Sequence, residues 1–171
     1  ALKPETMQMN NYGLNAEFRL EHTAGRIETF SLLNAGHEEI ETGNCGNCCA
    51  QEYQDILFVL FKAETSASQI KLELSQGGTE GVYEPARLAL TINNNGIFYA
   101  DLVPGSLCAT QPGLMCHDTL TIAGNLYYDV FEFNNQGTSQ SQEMPETLFF
   151  NADHGLLKYT TLDGAAWQLL Q

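Results

Sequence analysis

Basic residues are scarce. Seven Lys and Arg stand against 21 Asp and Glu, leaving a formal charge of −14. A chain this acidic is repelled by nucleic-acid phosphates and by anionic lipid, so neither is expected as a partner. Long apolar runs are also missing. The longest, ILFVLF at 56–61, has the length of a strand and falls far short of the ~20 residues a helix needs to cross a bilayer. No segment sustains an i, i+3, i+4, i+7 apolar stripe, which argues against amphipathic helices. Catalytic signatures are lacking as well. There is no Gly-x-Ser-x-Gly elbow to present a nucleophile. His37-Glu38-Glu39 is not the His-Glu-x-x-His of a zincin. No helical pattern follows Gln76-Gly77-Gly78, so it is no phosphate cradle.

What is present is strand alternation. RLALTI (87–92) sets Leu88, Leu90 and Ile92 against Arg87, Ala89 and Thr91. SQIKLELS (68–75) alternates as strictly, and ILFVLF suits a central strand with Phe58 and Leu60 on one side and Leu57 and Val59 on the other, all four buried. Further strands are expected near 14–22, 26–33, 96–103, 119–123, 125–134, 146–151, 155–161 and 165–170, with a turn at Asp163-Gly164. Residues 43–49, 76–81 and 134–142 read as loops, with HEEIET (37–42) leading into the first, and 1–13 as an N-terminal arm or edge segment. The turn spacing predicts a single all-β domain over 1–171: an antiparallel β-sandwich or open barrel of about ten strands.

Cysteine is plentiful for such a domain. Cys45, Cys48 and Cys49 cluster in GNCGNCCAQ, while Cys108 and Cys116 flank a Pro-Gly turn. A Cys108–Cys116 bridge would stabilise the fold by roughly 2–3 kcal/mol through loop entropy. A second bridge would use two of Cys45, Cys48 and Cys49, in a pairing the spacing leaves open, with one thiol left over. Zinc is the weaker reading of these thiols, because no second Cys-x-x-Cys completes a tetrahedral set. Disulfides imply an exported chain, and a start at Ala1 fits a leader already removed.

The remaining candidates have structural explanations close at hand. Asn151, Asp153, His154 and Gly155 fit a turn between strands better than an acid–base site. His22 and His37 read as exposed loop residues, and Glu38, Glu39 and Glu41 as a solvated face. Asp101, Asp129 and Glu132 are carboxylates without a motif. The aromatic residues of the second half suit core and cross-strand pairs. Tyr99 and Tyr127 are the candidates for exposure and ligand stacking, since Phe98 and Tyr128 occupy the opposite faces.

One resemblance adds to this. Tyr127, Tyr128 and Val130, then Phe150, Asn151, Gly155, Leu156, Leu157 and Lys158, then Asp163, Gly164, Trp167 and Leu169 form an ordered pattern over about a third of the chain. It resembles exported lipoprotein-type β domains of Gram-negative bacteria. The resemblance implies export to the periplasm or outer cell surface, often through an N-terminal lipid-modified Cys. No cysteine here lies in a lipobox, so an anchor would have to precede Ala1. The expectation is a non-enzymatic exported domain, without cofactor or metal, binding a protein, glycan or small molecule. The alternatives are a secreted hydrolase with a glycoside-type carboxylate pair and a lipocalin-like carrier of an apolar ligand.

Overall fold

The structure is a computed structural model and describes residues 17–42, 52–79, 82–93, 95–102, 113–135, 144–151 and 153–170. The arm at 1–13 and Cys45, Cys48, Cys49 and Cys108 lie outside the described residues. Those described form strands and turns, with no helix among them. In chain order the strands are β1 (Phe18–His22), β2 (Ile27–Thr42), β3 (Glu52–Ala63), β4 (Gln69–Thr79), β5 (Val82–Tyr83), β6 (Ala86–Ile92), β7 (Asn95–Leu102), β8 (Leu114–Ile122), β9 (Asn125–Asn134), β10 (Pro145–Asn151), β11 (Gly155–Thr161) and β12 (Ala166–Leu170).

All belong to one antiparallel sheet, ordered β7-β6-β4-β3-β2-β1-β12-β11-β10-β9-β8, with the short β5 alongside β4. The path is two meanders joined where the first strand meets the last: β1 pairs with β12, Leu20 opposite Leu169. The two outer strands, β7 and β8, are consecutive in the chain. The sheet curls until β7 approaches β9 and β10. The architecture is therefore an up-and-down barrel left open at one seam rather than two stacked sheets.

Alternation decides which residues enter the curl. On β6, Ala86, Leu88, Leu90 and Ile92 are buried while Arg87 is exposed. Their cross-strand partners Leu74, Leu72 and Ile70 on β4 are buried with them. On the facing meander Leu148, Phe133, Phe150 and Tyr159 complete the same cluster. Phe18 stacks on Phe30 (centroids 5.2 Å apart, 6° between planes) and meets Phe61 edge-on at 5.0 Å. A smaller cluster of Ile122, Tyr127, Val130 and Leu157 packs beside Leu169.

Turn chemistry closes the hairpins. Ala123 and Gly124 both adopt positive φ (52° and 83°) between β8 and β9, as a two-residue hairpin of right-handed twist requires. Asp163 and Gly164 turn β11 into β12 as their residue types demand: the Asp163 carboxylate accepts from the Thr161 hydroxyl (2.6 Å) and the Ala165 N–H (3.1 Å).

Three expectations need correction. His37 is a strand residue, not a loop residue: β2 runs on to Thr42 for 16 residues, with a register shift between Leu32 and Asn34. Likewise Gln76–Thr79 extend β4 instead of forming a loop. ILFVLF has the expected sidedness, but its outer residues Phe58 and Leu60 are only half-buried, as are Leu57 and Val59. Phe58 lies over Gly36, whose missing side chain makes room: a Cβ there would come within 2.8 Å of the ring. Lys71 sits 5.6 Å from the same ring.

Candidate functional site

The long strands β2, β3 and β4 carry the inner face beyond the apolar core. Register places Leu32 opposite Phe61, Ala35 opposite Val59, His37 opposite Leu57 and Glu39 opposite Asp55. Asp55 in turn pairs with Gln76. The row that is apolar at Phe61 and Leu72 thus becomes polar at His37, Glu39, Asp55 and Gln76. The bulge after Leu32 sets this phase, because one extra residue moves every later side chain of β2 to the other face.

At this polar end three side chains converge. The His37, Glu39 and Asp55 ligand atoms all lie within 4.8 Å of one another. His37 and Glu39 share a face because they are two residues apart on a strand, and Asp55 faces Glu39 directly. His37 Nε2 stands 3.8 Å from Asp55 Oδ1, too far for a hydrogen bond between them. Asp55 is buried, at 7% exposure, while His37 and Glu39 are open to solvent.

Elsewhere, polar groups are turned to one another. His117 Nε2 and Glu132 Oε2 are 2.8 Å apart, and the other Glu132 oxygen accepts from Asn134 Nδ2 at 3.2 Å. The Thr147 hydroxyl donates to Asn134 Oδ1 at 3.0 Å, tying β8, β9 and β10 together. Arg87 Nε donates to Asp101 Oδ1 at 2.7 Å across β6 and β7. Asp129 is exposed, with φ of 50°. Asp101, Asp129 and Glu132 do not come together as a described cluster, whereas Glu39 and Asp55 do, beside His37.

The opposite end of the inner face is sealed. Glu28 is buried and accepts from the Thr65 hydroxyl at 3.2 Å. Tyr159 stacks on Trp167 (6.3 Å, 18°), His22 meets Trp167 edge-on at 4.8 Å, and the Arg26 guanidinium lies 4.8 Å from the same ring. Burial, reinforced by the negative charge of Glu28, pushes the Tyr159 phenol above its ordinary range.

Of the two predicted stacking residues, Tyr127 is corrected. It is 2% exposed, in the smaller core, with His154 edge-on at 5.3 Å; Tyr128 is the outward ring, at 60%. The positive φ of Asp129 shifts the alternation, so that Tyr127 and Val130, three positions apart, join one cluster. Tyr99 pairs with Ala89, and its side chain lies outside the described residues. Asp153 and His154 form a turn between β10 and β11: the His154 N–H donates to Asn151 Oδ1 at 2.8 Å, and Asn151 Nδ2 to the Tyr128 carbonyl at 3.2 Å. Cys116 is disulfide-bonded, its partner outside the described residues.

His37, Glu39 and Asp55 were not singled out together by the sequence. The available signal was the spacing of His37, Glu39 and Glu41, which puts all three on one face if 34–42 is a strand. Nothing in the sequence supplies the register that brings Asp55 opposite.

No family model matches the chain, and neither a curated protein nor a solved structure is significantly similar to it.

Proposed function

We propose that this is a non-enzymatic exported binding domain that takes its ligand or partner at the open, polar end of the inner face. The convergence of His37, Glu39 and Asp55 there carries the reading. The rest of the inner face is filled by large side chains of its own, Phe30, Phe61, Leu90 and Leu148 among them. That filling weighs against a lipocalin-like carrier, which needs room inside its barrel. The charge of −14 favours a neutral or cationic ligand, whether a glycan, a small molecule or a protein surface. Export rests on the likeness of the C-terminal strands to lipoprotein-type domains and on the cysteines, with Cys108 as the proposed partner of Cys116.

One observation favours a second reading. Glu39 and Asp55 are a close carboxylate pair in unequal surroundings, one exposed and one buried. Such a pair can share acid and nucleophile roles in glycoside hydrolysis. A glycan array and a glycosidase panel, run on wild type and Glu39→Gln, separate the two. Binding lost in Glu39→Gln with no turnover by either protein supports a binding domain. Turnover by wild type that Glu39→Gln abolishes, at unchanged melting temperature, replaces it with the hydrolase.

A further inference from the structure

We propose that His37, Glu39 and Asp55 bind one divalent first-row transition-metal ion, Zn²⁺ being the ion that fits them best. The inference concerns the same end of the sheet as the function proposed above, but it requires neither an organic ligand nor turnover.

The donor set comes first. One imidazole nitrogen and two carboxylate oxygens are zinc ligands, and the two carboxylates neutralise the dication. A nitrogen donor disfavours Ca²⁺ and Mg²⁺, which take oxygen shells. Spacing comes next. Zinc bonds of 2.0–2.2 Å at the tetrahedral angle put neighbouring donors roughly 3.4 Å apart. The His37–Asp55 separation of 3.8 Å lies within a few tenths of an ångström of that, and the full set spans no more than 4.8 Å. Small rotations of His37 and Glu39, both solvent-exposed, would close the remainder.

Placement gives a third argument. The three ligands stand on adjacent hydrogen-bonded strands, with Glu39 and Asp55 in direct register. A ladder of this kind fixes their Cα positions before any metal arrives, which lowers the entropy lost on binding. Asp55 is the anchored, buried ligand, and the exposed pair provides the route of entry. Three protein ligands leave one tetrahedral position for water. Gln76 on β4 pairs with Asp55, and its side-chain amide donates to the carbonyl of Glu84, in the connection between β5 and β6, at 3.2 Å.

The competing zinc ligands in this chain are Cys45, Cys48 and Cys49, so the test must separate thiolate from nitrogen–oxygen ligation. Chelator-treated full-length protein is titrated with Zn²⁺ by calorimetry and with Co²⁺ by absorption. The expected result is one Zn²⁺ per chain, bound equally well by the Cys45→Ser/Cys48→Ser/Cys49→Ser variant, and a Co²⁺ complex without thiolate charge-transfer bands. His37→Ala and Glu39→Gln should each weaken binding by roughly 100-fold or more, since even outer-shell changes cost about 10–100-fold. Both positions are exposed, so their melting temperatures in chelator should match wild type; Asp55→Asn is kept as a third variant because its buried site risks the fold. The proposal is overturned if Zn²⁺ does not bind, if His37→Ala binds as tightly as wild type, or if binding disappears with the cysteines. Zinc binding without any glycan, small-molecule or protein ligand would leave this site standing and remove the function proposed above.

Discussion

β2 carries an acid on the same inner face near each of its ends, and the sheet treats the two in opposite ways. Glu28 lies where β1 flanks β2 and where β12 and β11 follow, so Trp167, Tyr159 and His22 close over that end. Glu39 lies where β2 has outrun β1. Among the described residues, β1 pairs with β2 only over Ile27–Phe30. Beyond that point β3 is the partner, and the face stays open. Similar chemistry becomes interior at one end and accessible at the other because the number of flanking strands differs. An inner face is core only where the curl brings an opposing wall to it.

The largest expected effect comes from the residue between the two ends. Phe61 is 0% exposed and touches Phe18 edge-on, whereas Phe58, three positions earlier, lies half-buried on the outer face. Phe61→Ala should cost ~3–5 kcal/mol through lost burial and a cavity. Phe58→Ala should cost about 1–2 kcal/mol, because it surrenders less apolar area and its site can relax into solvent. Urea unfolding with unchanged slope would read both. Equal losses would show that the outer face is as closed as the inner one, and the contrast between them would fail.

A smaller effect separates the sealed end from the open one by pH. Burial raises the Tyr159 phenol above its ordinary range. A group whose folded pKa is raised contributes stability that is complete below the unfolded pKa, about 10 for Tyr, and is lost as pH rises through the folded value. The protein should therefore weaken above about pH 10, and Tyr159→Phe should flatten part of that decline. Denaturant midpoints measured from pH 8 to 11 give the comparison. An identical alkaline slope in the variant would mean that Trp167 and its neighbours leave the phenol wet.

Much of the fold was legible because alternation was strict. From Ile70 to Ser75 in β4 the apolar and polar positions do not overlap, and in β6 only Ala89 departs from that rule, while in β9 to β12 runs with aromatic residues are bounded by turn residues. The expected intervals 146–151, 155–161 and 165–170 lie within a residue of β10, β11 and β12. HEEIET was not legible as strand, since its Glu residues are poor strand formers and its alternation is polar on both faces. The paired rings of Tyr127 and Tyr128 gave no indication of which face was inside; a local backbone feature at Asp129 decided it. The candidate site was hidden for a related reason. Its residues lie in two segments more than a dozen positions apart, and only the register after a bulge makes Asp55 the neighbour of Glu39.

The finest test of the sealed end is the turn that leads into it. Asp163 stands between β11 and β12, with its carboxylate bonded to the Thr161 hydroxyl and the Ala165 N–H. Those bonds, the Thr161 one foremost, hold its carboxyl below the usual range, with the charge of His22 adding to them. The sign is opposite to that of Tyr159. A depressed folded pKa contributes stability present above the unfolded value and lost as pH falls through the folded one. Protonation at acid pH would therefore release the Thr161 hydroxyl and loosen the entry into β12, the strand that carries Trp167. Because Asp163 is fully exposed, the expected change is small and best read at the site itself. Carboxyl chemical shifts followed through acid titration should give Asp163 a midpoint below the ordinary Asp value of 3.8, and Thr161→Val should return it toward that value. An ordinary midpoint in the wild type would mean that the turn is held by Gly164 and the backbone alone, with the carboxylate a bystander.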